Sequence, residues 1–371
     1  MKAPPSPMLA RLDAALAASV HPIDAACARA ERAGFLARQG FFDQANADLA
    51  ILRGEFSQRP AVLVTVWICI VEAWIEQNSG RVSASRDKML RAQALSAAAR
   101  LKPLQALSAA WLAHLSFVQD DIDDMAKYLT LAFQLAAPDH HAARARASIV
   151  AASAYHLADR LDLAQPWYIR AREHAQAESD DAALGVITFT IAGHRSNHAL
   201  RATIFGSSVD TDEARRAEAW VAASFNFDQW VGTVYQDAYV QMLRATVYSA
   251  QGQHAKALAV YVAHLDDADR QGLANMRATH LADQAWCRFH TGDVLGARSD
   301  AEAAVALIDP GMNVEDIAVA HGRLEQVFRS LGDINQSLCH QQLARQHWAR
   351  HLEMQRSVIE LFERALEPGR T

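Results

Sequence analysis

Sixteen histidines in 371 residues make metal chemistry the first question. His194 and His198 lie four apart, as do His347 and His351, with His340 seven residues before His347. Two imidazoles one helical turn apart can chelate Zn²⁺, but a third ligand must then come from elsewhere. No HExxH arrangement supplies the general base that such a zinc site uses. The acidic run Asp120-Asp121-Ile122-Asp123-Asp124 lacks the central glycine and terminal glutamate of a calcium loop, and reads instead as a helix start. No GxGxxG, GxxxxGKS/T or GxSxG sequence occurs, and no nucleophile has a triad that spacing could defend. These residues point to a non-enzyme with no metal and no cofactor.

A different chemistry is suggested between residues 194 and 239. The stretch His194-Arg195-Ser196-Asn197-His198-Ala199-Leu200-Arg201 is followed by Trp220, Phe225, Phe227, Trp230, Tyr235 and Tyr239. Aromatic side chains supply contact area at little cost in rotamer entropy, and nearby Arg, His and Asn set orientation. His194, Arg195, Asn197, His198, Arg201, Trp230, Tyr235 and Tyr239 are therefore the candidate ligand- or partner-binding residues. Filling of a large gap in an irregular repeat explains the same aromatics, and both readings stand.

The elements that must position these residues follow from composition. Alanine occurs 75 times, against only 16 glycines and 10 prolines. A chain so rich in the best helix former and so poor in turn formers is expected to be all-α. The apolar run from Ala61 to Ile75 contains Glu72 and is too short for the roughly twenty residues of a membrane span, so it reads as a buried helix. Cys27, Cys69, Cys287 and Cys339 are widely spaced, which fits reduced thiols in a cytoplasmic protein. The N-terminus shows no continuous apolar segment of the secretory kind. Arginine dominates over lysine, a bias that suggests a bacterial source.

Self-similarity decides the architecture. A Gly or Asp, several residues and then a small residue recur at Gly40–Ala45, Asp121–Ala126, Asp159–Ala164, Gly252–Ala257, Gly292–Ala297 and Gly332–Ser337. The first residue stops one helix in a left-handed conformation, and the following Asp or Asn starts the next. The small residue lets two helices approach closely. The anchors Ala45, Ser85, Ala126, Ala164, Ala214, Ala257, Ala297 and Ser337 follow one another at 40, 41, 38, 50, 43, 40 and 40 residues.

The sets Tyr155/Asp159/Ala164/Ala171, Gly252/Ala257 and Gly292/Ala297/Ala304 resemble the tetratricopeptide repeat, although that unit is thirty-four residues. The longer unit resembles the repeats of bacterial signalling regulators. The resemblance implies a right-handed helical-repeat solenoid with a concave face. About eight helix pairs are expected, starting near residues 24, 61, 104, 140, 180, 228, 274 and 314, after a leading helix near 7–19. The expected organisation is an N-terminal segment over 1–23, the solenoid over 24–337 and a long C-terminal helix over 338–371.

In that last helix Trp348, Leu352, Ile359, Phe362 and Leu366 form a near-heptad seam interrupted by Gln355. A cap on the last repeat, a homodimer through Trp348, Leu352, Ile359 and Phe362, and a rod leading to a further domain are the alternatives. The net charge of −6 argues against nucleic-acid and anionic-membrane partners. The resulting expectation is a protein-, peptide- or small-ligand-binding scaffold or sensor in bacterial signalling. The alternatives are a sensor whose last helix controls dimerisation or a separate output domain, and a metal or enzymatic protein using His194 and His198.

Overall fold

The computed structural model describes residues 3–4, 6–206, 211–232 and 237–365, and every regular element among them is helical. The repeats fall into two compact units. The first comprises Met1–Ile187, Phe227–Tyr235 and Val358–Thr371; the second comprises Thr188–Asn226 and Gln236–Ser357. Among the described residues no helix is long and apolar enough to cross a membrane.

In the first unit a leading helix, α1 (Pro7–Ala18), precedes four helix pairs. These are α2 (Pro22–Arg38) with α3 (Phe42–Glu55), α4 (Val62–Asn78) with α5 (Val82–Ala98), α6 (Lys102–Val118) with α7 (Ile122–Leu135), and α8 (His141–Leu157) with α9 (Leu161–Glu178). Each helix packs on its pair partner, and the first helices of the pairs pack in series, α2 on α4, α4 on α6 and α6 on α8. Next come α10 (Asp181–Phe205), whose last eighteen residues belong to the second unit, and α11 (Thr211–Val231). The second unit continues with α12 (Asp237–Ala250) and α13 (His254–Ala268), α14 (Arg277–His290) and α15 (Val294–Leu307), then α16 (Val314–Ser330) and α17 (Ile334–Ala365).

The turn inside each pair is built the same way. At Gly292 the backbone is left-handed, with φ of 90°. Its N–H donates to the Phe289 carbonyl at 3.1 Å, and the Asp293 N–H donates to the Arg288 carbonyl at 3.0 Å. This satisfies carbonyls that the end of α14 would otherwise orphan. Asp293 then caps α15 by accepting from the Gly296 N–H at 2.9 Å. The same left-handed reversal occurs at Gly40, Gly80, Asp120, Asp159, Gly252 and Gly332. One position differs by a residue from the sequence reading: Asp120, not Asp121, stops α6, and Asp121 caps α7 by accepting from the Asp124 N–H at 3.1 Å. Aspartate tolerates both roles, so two adjacent aspartates conceal the division of labour.

The expected anchors are buried. Ala45, Ala164, Ala257 and Ala297 have no exposed surface, and Ser85 fits the same slot by donating its hydroxyl to the Ala73 carbonyl at 2.8 Å. The expected pair starting near 228 begins instead at Asp237, because α11 continues to Val231 before Gly232 (φ 77°) ends it.

The expected seam on α17 is engaged within the chain. Trp348 stacks on Phe205 at 4.4 Å between centroids, Phe362 is fully buried edge-on to Tyr155, and Ile359 is half-buried. Leu352 is 41% exposed, and Leu366 lies outside the described residues.

In the second unit one buried carboxylate joins four helices. Asp283 of α14 lies 2.8 Å from Arg323 of α16, and accepts from the Tyr261 hydroxyl of α13 at 2.8 Å and the Ser249 hydroxyl of α12 at 2.9 Å. His280 and His321 are buried nearby in the same unit, and His321 Nδ1 lies 2.9 Å from His340 Nδ1. Burial holds the pKa of each of the two down at about 4, and for His321 the neighbouring His340 and His347 add to the effect.

Two outcomes are expected. Ala297→Leu should cost about 1–3 kcal/mol in urea unfolding, since overpacking drives apart two helices that meet at a small residue. The unfolded chain protonates His280 and His321 near the ordinary value of 6.5, whereas the folded chain excludes those protons down to about 4. The unfolded state then binds more protons, so stability should fall as pH drops through that window, by about 1.4 kcal/mol per pH unit for each histidine. Urea midpoints at pH 7, 6 and 5 check the slope, and His280→Gln should reduce it.

Candidate functional site

The first helices of the pairs in the first unit enclose a cavity of about 450 Å³. Each contributes a stripe at helical spacing: Cys27, Glu31 and Arg38 from α2, Leu63, Trp67 and Trp74 from α4, Leu104, Leu107 and Trp111 from α6, and Ala142, Ala145, Arg146 and Ile149 from α8. Residues three, four, seven or eleven apart share one face of a helix, so each helix turns one stripe inward. Asp180 and Ala183, at the start of α10, complete the wall.

The aromatic part of the wall is tightly constrained. Trp74 and Trp111 lie 5.4 Å apart between centroids. A Cβ added at Gly34 would stand 2.3 Å from the Trp74 ring, so only glycine lets that indole press against α2. The Arg38 guanidinium sits 5.5 Å over Trp74, and that of Arg146 sits 3.8 Å over Trp111. Arg38, Trp74, Trp111 and Arg146 thus form a ladder of cation, ring, ring and cation.

The two ends of this ladder differ in their electrostatics. Arg38 donates to Asp180 at 2.7 Å, and Asp180 in turn caps α10 by accepting from the Ala183 N–H at 3.1 Å. Arg146 is 6% exposed, and among the described residues no carboxylate pairs with it and no acceptor takes its N–H groups. Burial, then the positive charge of Arg38, lower its pKa to about 9 against the opposing charge of Asp180, which leaves it charged at neutral pH. His140, which precedes α8, is half-buried with its Nδ1 unpartnered, and burial lowers its pKa.

The residues singled out from the sequence fall elsewhere. His194, Arg195, Asn197, His198 and Arg201 lie on the part of α10 in the second unit. Arg195 donates to Glu213 at 2.5 Å. Arg201 donates to Glu315 at 2.6 Å, with both side chains buried, and lies 3.4 Å from His198 Nδ1. Asn197 lines a cavity of about 20 Å³ beside Tyr261, His280 and Asp283, a volume suited to no more than a water molecule. Tyr239 meets Phe189 edge-on at 5.8 Å, while Trp220 and Phe225 pack against a cluster that includes Ala192, Val221 and Val247. His194 is half-buried. Trp230 belongs to the first unit and is 79% exposed, and Tyr235 lies outside the described residues. Among the described residues no three His, Cys, Asp or Glu side chains come together as a metal site.

No family model matches the sequence, and no curated protein matches it either. The fold is similar to that in the crystal structure of a Rap protein complexed with competence and sporulation factor. The TM-score is 0.57 at 10% identity, over 93% of this chain and 92% of that one. At that identity the likeness is one of fold, and with the repeated helix pairs it defines a tetratricopeptide-like helical-repeat solenoid.

Because Arg201 is consumed in a buried pair, Arg201→Ala should leave Glu315 uncompensated and lower stability by about 3–5 kcal/mol. Chemical unfolding of the purified variant measures this, and restoration of most of the loss by Glu315→Gln in the same chain would assign it to the orphaned charge.

Proposed function

We propose that this protein is a non-catalytic regulatory binding protein that takes a peptide or small ligand into the cavity of its first unit. The observation that carries this reading is the cavity itself: about 450 Å³, walled by Trp67, Trp74, Trp111 and aliphatic side chains, with a few charged groups among them. That is the size and chemistry of a ligand site, in which apolar walls supply affinity and sparse polar groups set orientation. The complex of a Rap protein with a competence and sporulation factor supports a binding role for a fold of this kind.

The wall is assembled from α2, α4, α6 and α8, which belong to different repeats. A ligand touching all four therefore contacts several repeat interfaces at once. In a stack held together by nearest-neighbour packing, such a ligand alters how neighbouring pairs sit on each other, and this is the basis for signalling to a partner protein in the cytoplasm.

A thermal-shift screen against a library of short peptides and small organic molecules tests the proposal. A hit should raise the midpoint of the wild-type chain, because a ligand selective for the folded state stabilises it by mass action. The shift should vanish in Ala145→Trp, which fills the cavity from α8. Equal shifts in both proteins would place binding elsewhere, and a screen without hits would reject the reading.

A further inference from the structure

Arg11, Arg38 and Arg146 line the cavity with Glu31, Glu178 and Asp180, but they do not pair one to one. Arg38 is neutralised by Asp180 at 2.7 Å, and Arg11 stands 3.8 Å from Glu178. Glu31 also lines the cavity, where burial and the neighbouring Glu178 raise its pKa and make its charged form less favourable. Arg146 alone among the lining cations is buried with no carboxylate against it among the described residues. A buried guanidinium without a carboxylate in direct contact is costly; the ring of Trp111 and the more distant charge of Asp180, already paired with Arg38, offset only part of that cost. Burial and the nearby Arg38 depress its pKa, which is the same cost seen as titration.

The hydrogen-bond inventory of the cavity is skewed in the same direction. Trp74 Nε1 and Arg38 Nε are buried donors with no acceptor, and His140 Nδ1 is buried and unpartnered. Buried polar groups are normally satisfied, so two orphaned donors on lining residues make this stretch of wall electropositive. Trp111 holds the Arg146 guanidinium 3.8 Å from its ring centroid, and the fork of a guanidinium can offer a carboxylate two parallel donors.

Resting on the cavity reading above, we propose that the ligand is an apolar molecule ending in a carboxylate, with Arg146 as its anion subsite. A single carboxylate suits the one lining arginine that has no direct carboxylate partner among the described residues. A phosphate would bring a second charge into a wall made of Trp67, Leu107 and Ile149. The carboxylate-terminated body has two sources, the C-terminus of a peptide with apolar side chains and a free alkanoic acid.

Displacement of a neutral fluorophore, N-phenyl-1-naphthylamine, from the full chain tests this and separates the sources. Decanoate is compared with decanamide, and the peptide acetyl-Ala-Ala-Leu-Phe with a free C-terminus is compared with its C-terminal amide. One of the acids should displace the fluorophore about tenfold or more better than its neutral twin. The identity of that acid distinguishes peptide from alkanoate. The preference should fall to near unity in Arg146→Met, which keeps the packed stem, and be partly kept in Arg146→Lys, with folding of each variant followed by circular dichroism. Equal displacement by acid and neutral twins, or a preference that survives in Arg146→Met, overturns the proposal and leaves the cavity reading standing. Failure of the wild-type chain to take up the fluorophore overturns both.

Discussion

Each helix pair must reverse its direction within two or three residues, and this demand fixes the rest of the architecture. A reversal that tight needs one residue in the left-handed region, which glycine enters freely and aspartate tolerates. Left-handed residues at 40, 80, 120 and 159 in the first unit, and at 252, 292 and 332 in the second, mark the turns. Their even spacing makes successive first helices nearly equal in length and stacks them in register. The small residues that follow, such as Ala45 and Ala297, then set how closely each pair can approach. Stability of such a stack comes from neighbours alone, so a residue at one position of a repeat meets its equivalents in the repeats on either side.

The cavity ladder follows from that register. Arg38, Trp74, Trp111 and Arg146 precede their turn residues Gly40, Gly80, Asp120 and Asp159 by two, six, nine and thirteen positions. Those offsets grow by four, three and four, which is one helical turn per repeat on a single helix face. Four residues from four repeats therefore meet as one continuous column, with rings in the middle and cations at the ends.

Helix content, turn positions and small anchors are local, and they can be read from Gly, Asp and Ala spacing. The start of α12 at Asp237 escaped because α11 runs on through an aromatic-rich segment to Gly232. The cavity escaped for a different reason: hydrophobicity marks Trp67 and Trp74 as buried without telling a packed core from the wall of a hollow. Aromatic density marks residues 194–239, where Trp220, Phe225 and Tyr239 pack against other side chains of the second unit. The informative signal was Arg146, one long cation inside the small apolar run of α8, and it gains meaning only when its offset from the turn is aligned with that of Trp111.

Buried charge is paired with a carboxylate in the second unit and at Arg38 of the first, but not at Arg146. In the second, Arg201 meets Glu315, and Arg323 meets an Asp283 that also accepts from two hydroxyls, so each guanidinium has a carboxylate against it. Breaking such a pair is expensive, and for that reason it rigidifies the helices it joins. In the first unit Arg146 occupies an equally buried place and is left open on one side. A fold can hold that charge because the positions of α6 and α8 are set by packing along their whole length, with Leu112, Leu115, Ala151 and Ala152 fully buried, and not by any contact of Arg146 itself. The cost of the open cation is then carried by the scaffold and recovered when an anion arrives, which is the arrangement expected of a site shaped for binding.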